Sequence, residues 1–343
     1  MHGSEKRTAA EHQAEGEIAS FDELLRDDSF HSRMKLIDQE MKKFLDSYRG
    51  EPSVLYDAAH HLLLAGGKRI RSLITVLCCE AVGGDVKEVL PFALATELLQ
   101  TASLIHDDII DEDLVRRGVR TAHDKFGAKI AVLAGDLLVA QAIQLVGERA
   151  TPELLMHLGR GGVRMCEGEA LDFMMCNESP ESFTRQKYLR VIEYKTATFM
   201  KEAARIGAIV GGASEKQKEA LSKFGEMLGF AFQIRDDILD VTATQQVAGK
   251  TVQSDLNGKR CNYPLVHALE VSPESERELG LRGLEEGDLG PVLRLIEDTQ
   301  AIHHAVELTR TYVQRAKKAL NDADVQDERL LCKIADFVMQ RIH

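Results

Sequence analysis

Apolar positions recur every three to four residues along most of the chain. Met34, Ile37, Met41, Phe44 and Tyr48 mark one face of a helix over 33–48, because 3.6 residues per turn brings such positions into line. Pro52 and Ser53 open a second helix running toward Ala65. Gly66-Gly67 interrupts it, and an apolar run over 70–82 ends at Gly83-Gly84, since paired glycines favour turns over helix. The same periodicity predicts helices over 86–115, 128–148, 152–176, 182–210, 215–241 and 264–269, with more toward the C-terminus. No alternating strand pattern stands out. Gly159, Gly161 and Gly162 have no strand before them and so do not suggest a dinucleotide loop. No long Pro/Ser/Gly linker divides the pattern. It predicts an all-α, single-domain bundle of stacked helices over residues 31–343, behind a polar tail over 1–30.

Composition narrows the picture further. The chain has 343 residues, 44% of them hydrophobic and only 7 proline, enough apolar surface for a large helical core. The opening MHGSEKRTAAEHQAEGE lacks an apolar core and does not read as a secretory signal. No stretch looks long and apolar enough to span a bilayer, so a cytoplasmic protein is expected. A net charge of −12 argues against nucleic acid as a partner. Six cysteines form no CxxC pair, which favours ordinary thiols over a zinc site or disulfides. An anionic ligand would therefore need local basic residues or bridging cations.

Two acidic segments echo each other. Leu104–Asp111 (LIHDDIID) resembles Gln233–Asp240 (QIRDDILD), and both contain Ile-x-Asp-Asp-Ile-x-Asp. In a helix Asp107 and Asp111 are i and i+4 and share a face, with Asp108 at its edge. Like charges so placed repel, which makes the pattern costly without a cation. Two such clusters on facing helices suit Mg²⁺, which takes a few carboxylates and completes its shell with water and phosphate oxygens. A solvated acidic face would explain one cluster but not the repetition. The complementary cations lie in Gly66–Arg71 (GGKRIR) and in Arg116-Arg117-Gly118. Lys68 and Arg71 are expected to face similarly at a helix start, where free N–H groups favour anions. Arginine adds a planar fork for phosphate.

With these segments in family order, the chain resembles the trans-type isoprenyl diphosphate synthases, which make farnesyl, geranylgeranyl and longer polyprenyl diphosphates. The matching segments are GGKRIR (66–71), LLQTASLIHDDIIDEDLVRRG (98–118), AGDLL (134–138), YKTA (194–197), FQIRDDILD (232–240), GKTVQSDLNGK (249–259) and NYPL (262–265). The resemblance implies helices around a central substrate tunnel. It also implies a magnesium-dependent condensation of isopentenyl diphosphate with an allylic diphosphate. Gly67, Lys68, Arg71, Gln100 and Arg117 then resemble the isopentenyl diphosphate pocket. Asp107, Asp111 and Asp236 resemble direct ligands of three Mg²⁺, with Asp108, Asp237 and Asp240 orienting water or supporting that shell. Arg116, Lys195, Lys250 and Lys259 would hold the allylic diphosphate, and Thr196 and Gln233 would face the allylic cation. His106 reads as a structural flank and Gly135-Asp136 as a helix-packing element.

The family's growing product runs beside the helix bearing Asp107. Ala102 and Ser103 there leave the first floor open, and Leu98 or Leu99 on the next turn is the next stop. A product of twenty carbons or more is therefore expected, as is a homodimer formed through 128–146, which is apolar nearly all round. A farnesyl diphosphate synthase, a class I terpene cyclase and a silent subunit of a heteromeric synthase are the competing readings. A cyclase normally lacks the second acidic motif, and a silent subunit would have lost motif residues.

Overall fold

The structure, a computed structural model, describes residues 26–178, 182–247, 261–322 and 324–339. Helix α1 (Asp28–Ser47) begins where the Asp27 carboxylate accepts the Ser29 N–H at 2.9 Å, one of the orphan donors at any helix start. Its stripe of Phe30, Met34, Ile37, Met41 and Phe44 is buried, as the spacing predicts. Helices α2 (Ser53–Leu64), α3 (Ile70–Ala81) and α4 (Val86–Ile110) follow. A two-strand hairpin, β1 (Val115–Arg116) against β2 (Val119–Arg120), leads into α5 (Ala122–Phe126), α6 (Ala128–Val146) and α7 (Pro152–Asn177). Next come α8 (Arg185–Ile192), a π turn at Glu193–Ala197, α9 (Thr198–Val210) and α10 (Glu215–Val247). The chain continues through α11 (Tyr263–Val271), α12 (Glu274–Glu286), α13 (Leu289–Asp298), α14 (Ala301–Asn321) and α15 (Arg329–Met339).

The architecture is all-α. Helix α9 packs against α3, α7 and α10, while α14 covers another side of α10 and α4 lies along α6. Two buried apolar clusters result. One centres on α3, α9, α10 and α14, and the other fills the space among α1, α2, α4, α6 and α7.

Three expectations need correcting. The helix expected over 86–115 stops at Ile110, where Asp111 caps it and Glu112 takes a left-handed φ of 55°. The stretch over 182–210 is not one helix: Thr184 caps α8, and the π turn separates α8 from α9. Two helices, Val86–Ile110 and Ala128–Val146, are after all long and apolar enough to cross a membrane by length and composition. The first is mostly enclosed by the fold. The second turns Val132, Leu133, Val139 and Ile143 to the surface.

A buried ion pair fixes the entrance to α3. Arg69, itself in the left-handed region at φ 48°, donates to Glu97 at 3.0 Å and to the Leu63 carbonyl at 2.8 Å. Ser72 donates to the other Glu97 oxygen at 3.0 Å, and both charged side chains are only 4% exposed. The end of α2, the start of α3 and the middle of α4 are thereby tied to one carboxylate. Removing one partner of such a pair leaves an uncompensated buried charge. Glu97→Ala should therefore lower the unfolding free energy by about 3–5 kcal/mol, read from denaturant midpoints by circular dichroism. An unchanged midpoint would show that the pair stabilises nothing.

Candidate active site

Asp107 lies in the last turn of α4, and the Asp111 N–H caps it by donating to the Asp107 carbonyl at 2.8 Å. The i, i+4 relation thus survives although the helix ends between them. His106 sits over Gly135 of α6, where a Cβ would overlap its ring, and its Nε2 lies 3.1 Å from the Val132 carbonyl. That contact sets how closely α4 and α6 approach. Asp108 is fully buried and paired with Arg116, which also donates to Asp113 at 2.9 Å. Burial raises the Asp108 carboxyl and Arg116 pulls it back. Its Oδ2 meets no hydrogen-bond donor among the described residues.

Lys195 and Thr196 sit on the π turn. This short stretch of widened helix is gripped on both sides by glycine: a Cβ at Gly168 of α7 would strike the Lys195 backbone, and one at Gly229 of α10 would strike Ala197. Such widened turns re-aim side chains that a regular helix would place elsewhere. Here Lys195 lies 2.7 Å from both Glu169 and Asp172 of α7. Burial works against its charge, but Asp172, Asp107 and Glu169 outweigh it and hold the ammonium well above its ordinary range. Thr196 donates to Gln233 Oε1 at 3.0 Å. Gln233 Nε2 in turn donates to Asp237 at 3.1 Å. The π turn therefore bridges the acidic end of α4 to the acidic stretch of α10, which carries Asp236, Asp237 and Asp240.

Glu169 and Asp172 were missed by sequence reasoning. They are i and i+3 in Gly168–Asp172 (GEALD), a pattern that also suits a solvated face. Burial, first, and the Asp107 carboxylate, second, push Glu169 up to about 7, with Lys195 opposing them. Asp107 is likewise raised, chiefly by burial.

The basic side gathers around Gly67, whose Cβ direction points straight at the Arg117 guanidinium. Arg117 donates to the Leu62 carbonyl at 3.0 Å and the Gly66 carbonyl at 2.5 Å, and burial lowers it. Arg71, in the first turn of α3, is pushed down by burial to about 10 while Glu97 and Asp236 pull it up. Its Nε, like Gln100 Oε1, is buried without a hydrogen-bond partner among the described residues. Lys68 and Arg71 do not share a helix face as expected, because α3 starts at Ile70 and Lys68 stands in the preceding loop. Lys250 and Lys259 lie outside the described residues. Ala102, Leu98 and Leu99 are buried in the apolar cluster shared with α6 and α7, and Ser103 donates to the Gln100 carbonyl at 2.9 Å.

The donor set is carboxylate oxygen, the chemistry a hard divalent cation takes. Burial with like charges nearby raises Asp107 and Glu169, so a bound cation would relieve both. Among the described residues no three acidic, histidine or cysteine side chains converge on one point. Mg²⁺ fits such a site nonetheless, since one or two carboxylates with water and substrate phosphate complete its octahedron.

Comparison with known proteins supplies the family. A polyprenyl synthetase family model matches residues 52–287. The chain is 38% identical over 300 residues to the short chain isoprenyl diphosphate synthase of Methanothermobacter thermautotrophicus, spanning 85% of this chain and 92% of that protein. It is 35% identical over 321 residues to the geranylgeranyl diphosphate synthase of Methanosarcina mazei, spanning 92% and 97%. The crystal structure of geranylgeranyl pyrophosphate synthetase from Pyrococcus horikoshii superposes with a TM-score of 0.84 at 33% identity, covering 94% of this chain and 99% of that one.

Glu169 gives the metal-free protein a pH signature. Its folded pKa of about 7 exceeds the ordinary 4.5, so the folded state binds this proton more tightly than the unfolded one. The associated stability is complete below about pH 4.5 and is lost as pH rises through 7, by at most about 1.4 kcal/mol per pH unit. In chelator, Glu169→Gln should therefore gain stability relative to wild type between pH 5 and 7.5 in thermal melts. A difference that does not change with pH would show that Glu169 titrates normally.

Proposed function

This chain belongs to the polyprenyl synthetase family, and we propose that it condenses isopentenyl diphosphate with allylic diphosphates where the acidic stretches of α4 and α10 flank the π turn. It is a prenyltransferase that elongates a linear all-trans prenyl diphosphate to twenty carbons or more. One observation carries the reading: on the π turn Lys195 lies close enough to Asp107 for each to shift the other electrostatically, while the adjacent Thr196 reaches Asp237 through Gln233, which supports one site for both acidic segments.

In this reading Gly67, Lys68, Arg71, Gln100 and Arg117 receive isopentenyl diphosphate. Arg71 Nε, buried without a hydrogen-bond partner among the described residues, supports that role, since a phosphate oxygen would satisfy it. Arg116 and Lys195, with Lys250 and Lys259, hold the allylic diphosphate. In the free protein Arg116 rests on Asp108 and Asp113, and Lys195 on Glu169 and Asp172. Both cations are thus kept charged until substrate competes for them. Three Mg²⁺ ions, held through Asp107, Asp111 and Asp236 with Asp108, Asp237 and Asp240 behind them, would neutralise charge on the departing diphosphate. As the allylic C–O bond breaks, the oxygens of Thr196 and Gln233 face the developing cation. The isopentenyl double bond attacks it, and the released diphosphate takes the proton. Apolar packing around the tail excludes water from the cation.

The same reading makes the protein a cytoplasmic homodimer whose residues 31–343 act as one domain. Exposed Val132, Leu133, Val139 and Ile143 on α6 and Leu155, Met156 and Val163 on α7 support pairing there, because an apolar patch of this kind invites a partner.

The deciding assay supplies isopentenyl diphosphate with a labelled allylic partner and resolves products by chain length. Wild type should give products of twenty carbons or more in a chelator-sensitive reaction, and Asp107→Ala or Asp236→Ala should nearly abolish it. A cyclic product, or no condensation, would refute the reading. In the same assay Ala102→Phe should shorten the main product, because the added ring would sit five residues, about 7.5 Å along the helix axis, below Asp107. An unchanged distribution would mean that Ala102 serves helix packing alone. By light scattering at micromolar concentration the protein should run as a dimer, and Leu133→Glu should shift it toward monomer. A monomeric wild type would remove the pairing face.

A further inference from the structure

Asp237 is the second aspartate of its motif, and among the described residues its carboxylate is held by donors from the protein itself. It is only 5% exposed. Oδ2 accepts the Tyr188 hydroxyl at 2.7 Å and the Tyr263 N–H at 3.0 Å, while Oδ1 accepts Gln233 Nε2 at 3.1 Å. Three donors from three parts of the chain meet on one anion: α8, α10 and the start of α11.

The consequence runs outward along the hydrogen bonds. A carboxylate accepts and does not donate, so Gln233 must turn its amide nitrogen to Asp237 and its oxygen to Thr196. Thr196 then spends its proton on that oxygen at 3.0 Å. Its remaining lone pairs are left as acceptors, the polarity a developing carbocation requires. The order of the chain is thus Tyr188 to Asp237 to Gln233 to Thr196.

We propose that Tyr188 is a positioning residue for the condensation, acting through Asp237 and Gln233 to hold the Thr196 oxygen toward the allylic cation. This rests on the reading of Thr196 and Gln233 given above. Tyr188 is 4% exposed and belongs to the core, with its hydroxyl aimed at the carboxylate. Burial and Asp237 both raise its phenol far above ordinary tyrosine, so it remains a donor throughout the working pH range. Without that hydroxyl, Asp237 Oδ2 loses one of its two donors among the described residues and the carboxylate is held less firmly, which loosens Gln233. The effect falls on the barrier rather than on diphosphate binding, because the hydrogen bonds run from Tyr188 through Asp237 and Gln233 to Thr196, whose oxygen faces the allylic cation.

The test uses Tyr188→Phe, which removes one oxygen and keeps the ring. Its kcat should fall about 10- to 100-fold, the usual cost of losing an outer hydrogen bond that orients an active group. KM for both diphosphates and the Mg²⁺ concentration for half-maximal rate should stay within about twofold of wild type. A double-mutant cycle with Thr196→Val should be strongly non-additive, since Tyr188 acts through Thr196. Near-UV circular dichroism and thermal melting check that the variant is folded. A lowered melting temperature with wild-type kcat would make Tyr188 a packing residue and overturn the proposal. A shifted Mg²⁺ requirement with little change in saturated kcat would make Asp237 a metal group instead. Additive losses would cut the link to Thr196. A wild type that fails to condense the substrates would overturn the underlying reading and this inference with it, a result separate from the other three.

Discussion

The α4 acidic cluster stands at the electrostatically wrong end of its helix. Asp107, Asp108 and Asp111 occupy the last turn and cap of Val86–Ile110, with no basic residue in that turn. Unpaired carbonyls already give a helix C-terminus about half a negative charge. Adding three carboxylates there, partly shielded from water, is unfavourable unless cations come from elsewhere. The fold supplies them from two directions. Arg116 returns from the hairpin to Asp108 and Asp113, and Lys195 arrives on the π turn beside Glu169, Asp172 and Asp107. The α10 cluster differs, since Asp236, Asp237 and Asp240 lie within a helix that continues to Val247. The two copies of one motif therefore carry unequal electrostatic strain. At the end of α4 burial raises the Asp107 carboxyl, as it does Glu169 beside it on α7, so a dication there would relieve both.

This imbalance accounts for the backbone around the site. A lysine that serves two carboxylates on α7 while its neighbour Thr196 reaches Gln233 on α10 must face two helices at once. Successive residues of a regular helix diverge by about 100°. The π turn, pinched between Gly168 and Gly229, changes that phase and lets α7 and α10 come close on either side of it. On the opposite flank the Arg69–Glu97 pair performs a comparable task, fixing the strained loop that carries Gly67 and leads into α3 and Arg71.

What the sequence made legible follows from local rules. Most helices were readable from their apolar spacing, and the repeated aspartates stood out because two copies of one frame are hard to attribute to composition. Asp111 is already at its i+4 position when α4 stops, so the early helix end did no harm to that inference. Other features depended on contacts between distant segments. Glu169 looks like any solvated glutamate until α4 and the π turn bury it beside Asp107. Tyr188 carries no local signal at all, because its meaning comes from Asp237, 49 positions away. Lys68 and Arg71 were placed on one helical face because nothing in GGKRIR reveals that Arg69 adopts a left-handed conformation held by Glu97.

Hydrophobicity alone was similarly ambiguous for α4 and α6, which are close in length and apolar content but meet different surroundings. Helix α4 is enclosed almost all round, so its small residues Ala95 and Ala102 count as interior space. Helix α6 buries Ala131, Ala134, Leu138 and Ala142 against its neighbours, yet leaves Leu133 and Ile143 more than half exposed. Water-facing aliphatic residues at that density are unfavourable on an isolated surface, whereas inward they would be unremarkable. The outer face of α6 is thus the surface proposed for pairing, while the inner face, with Gly135 beneath His106, fixes the height of α4.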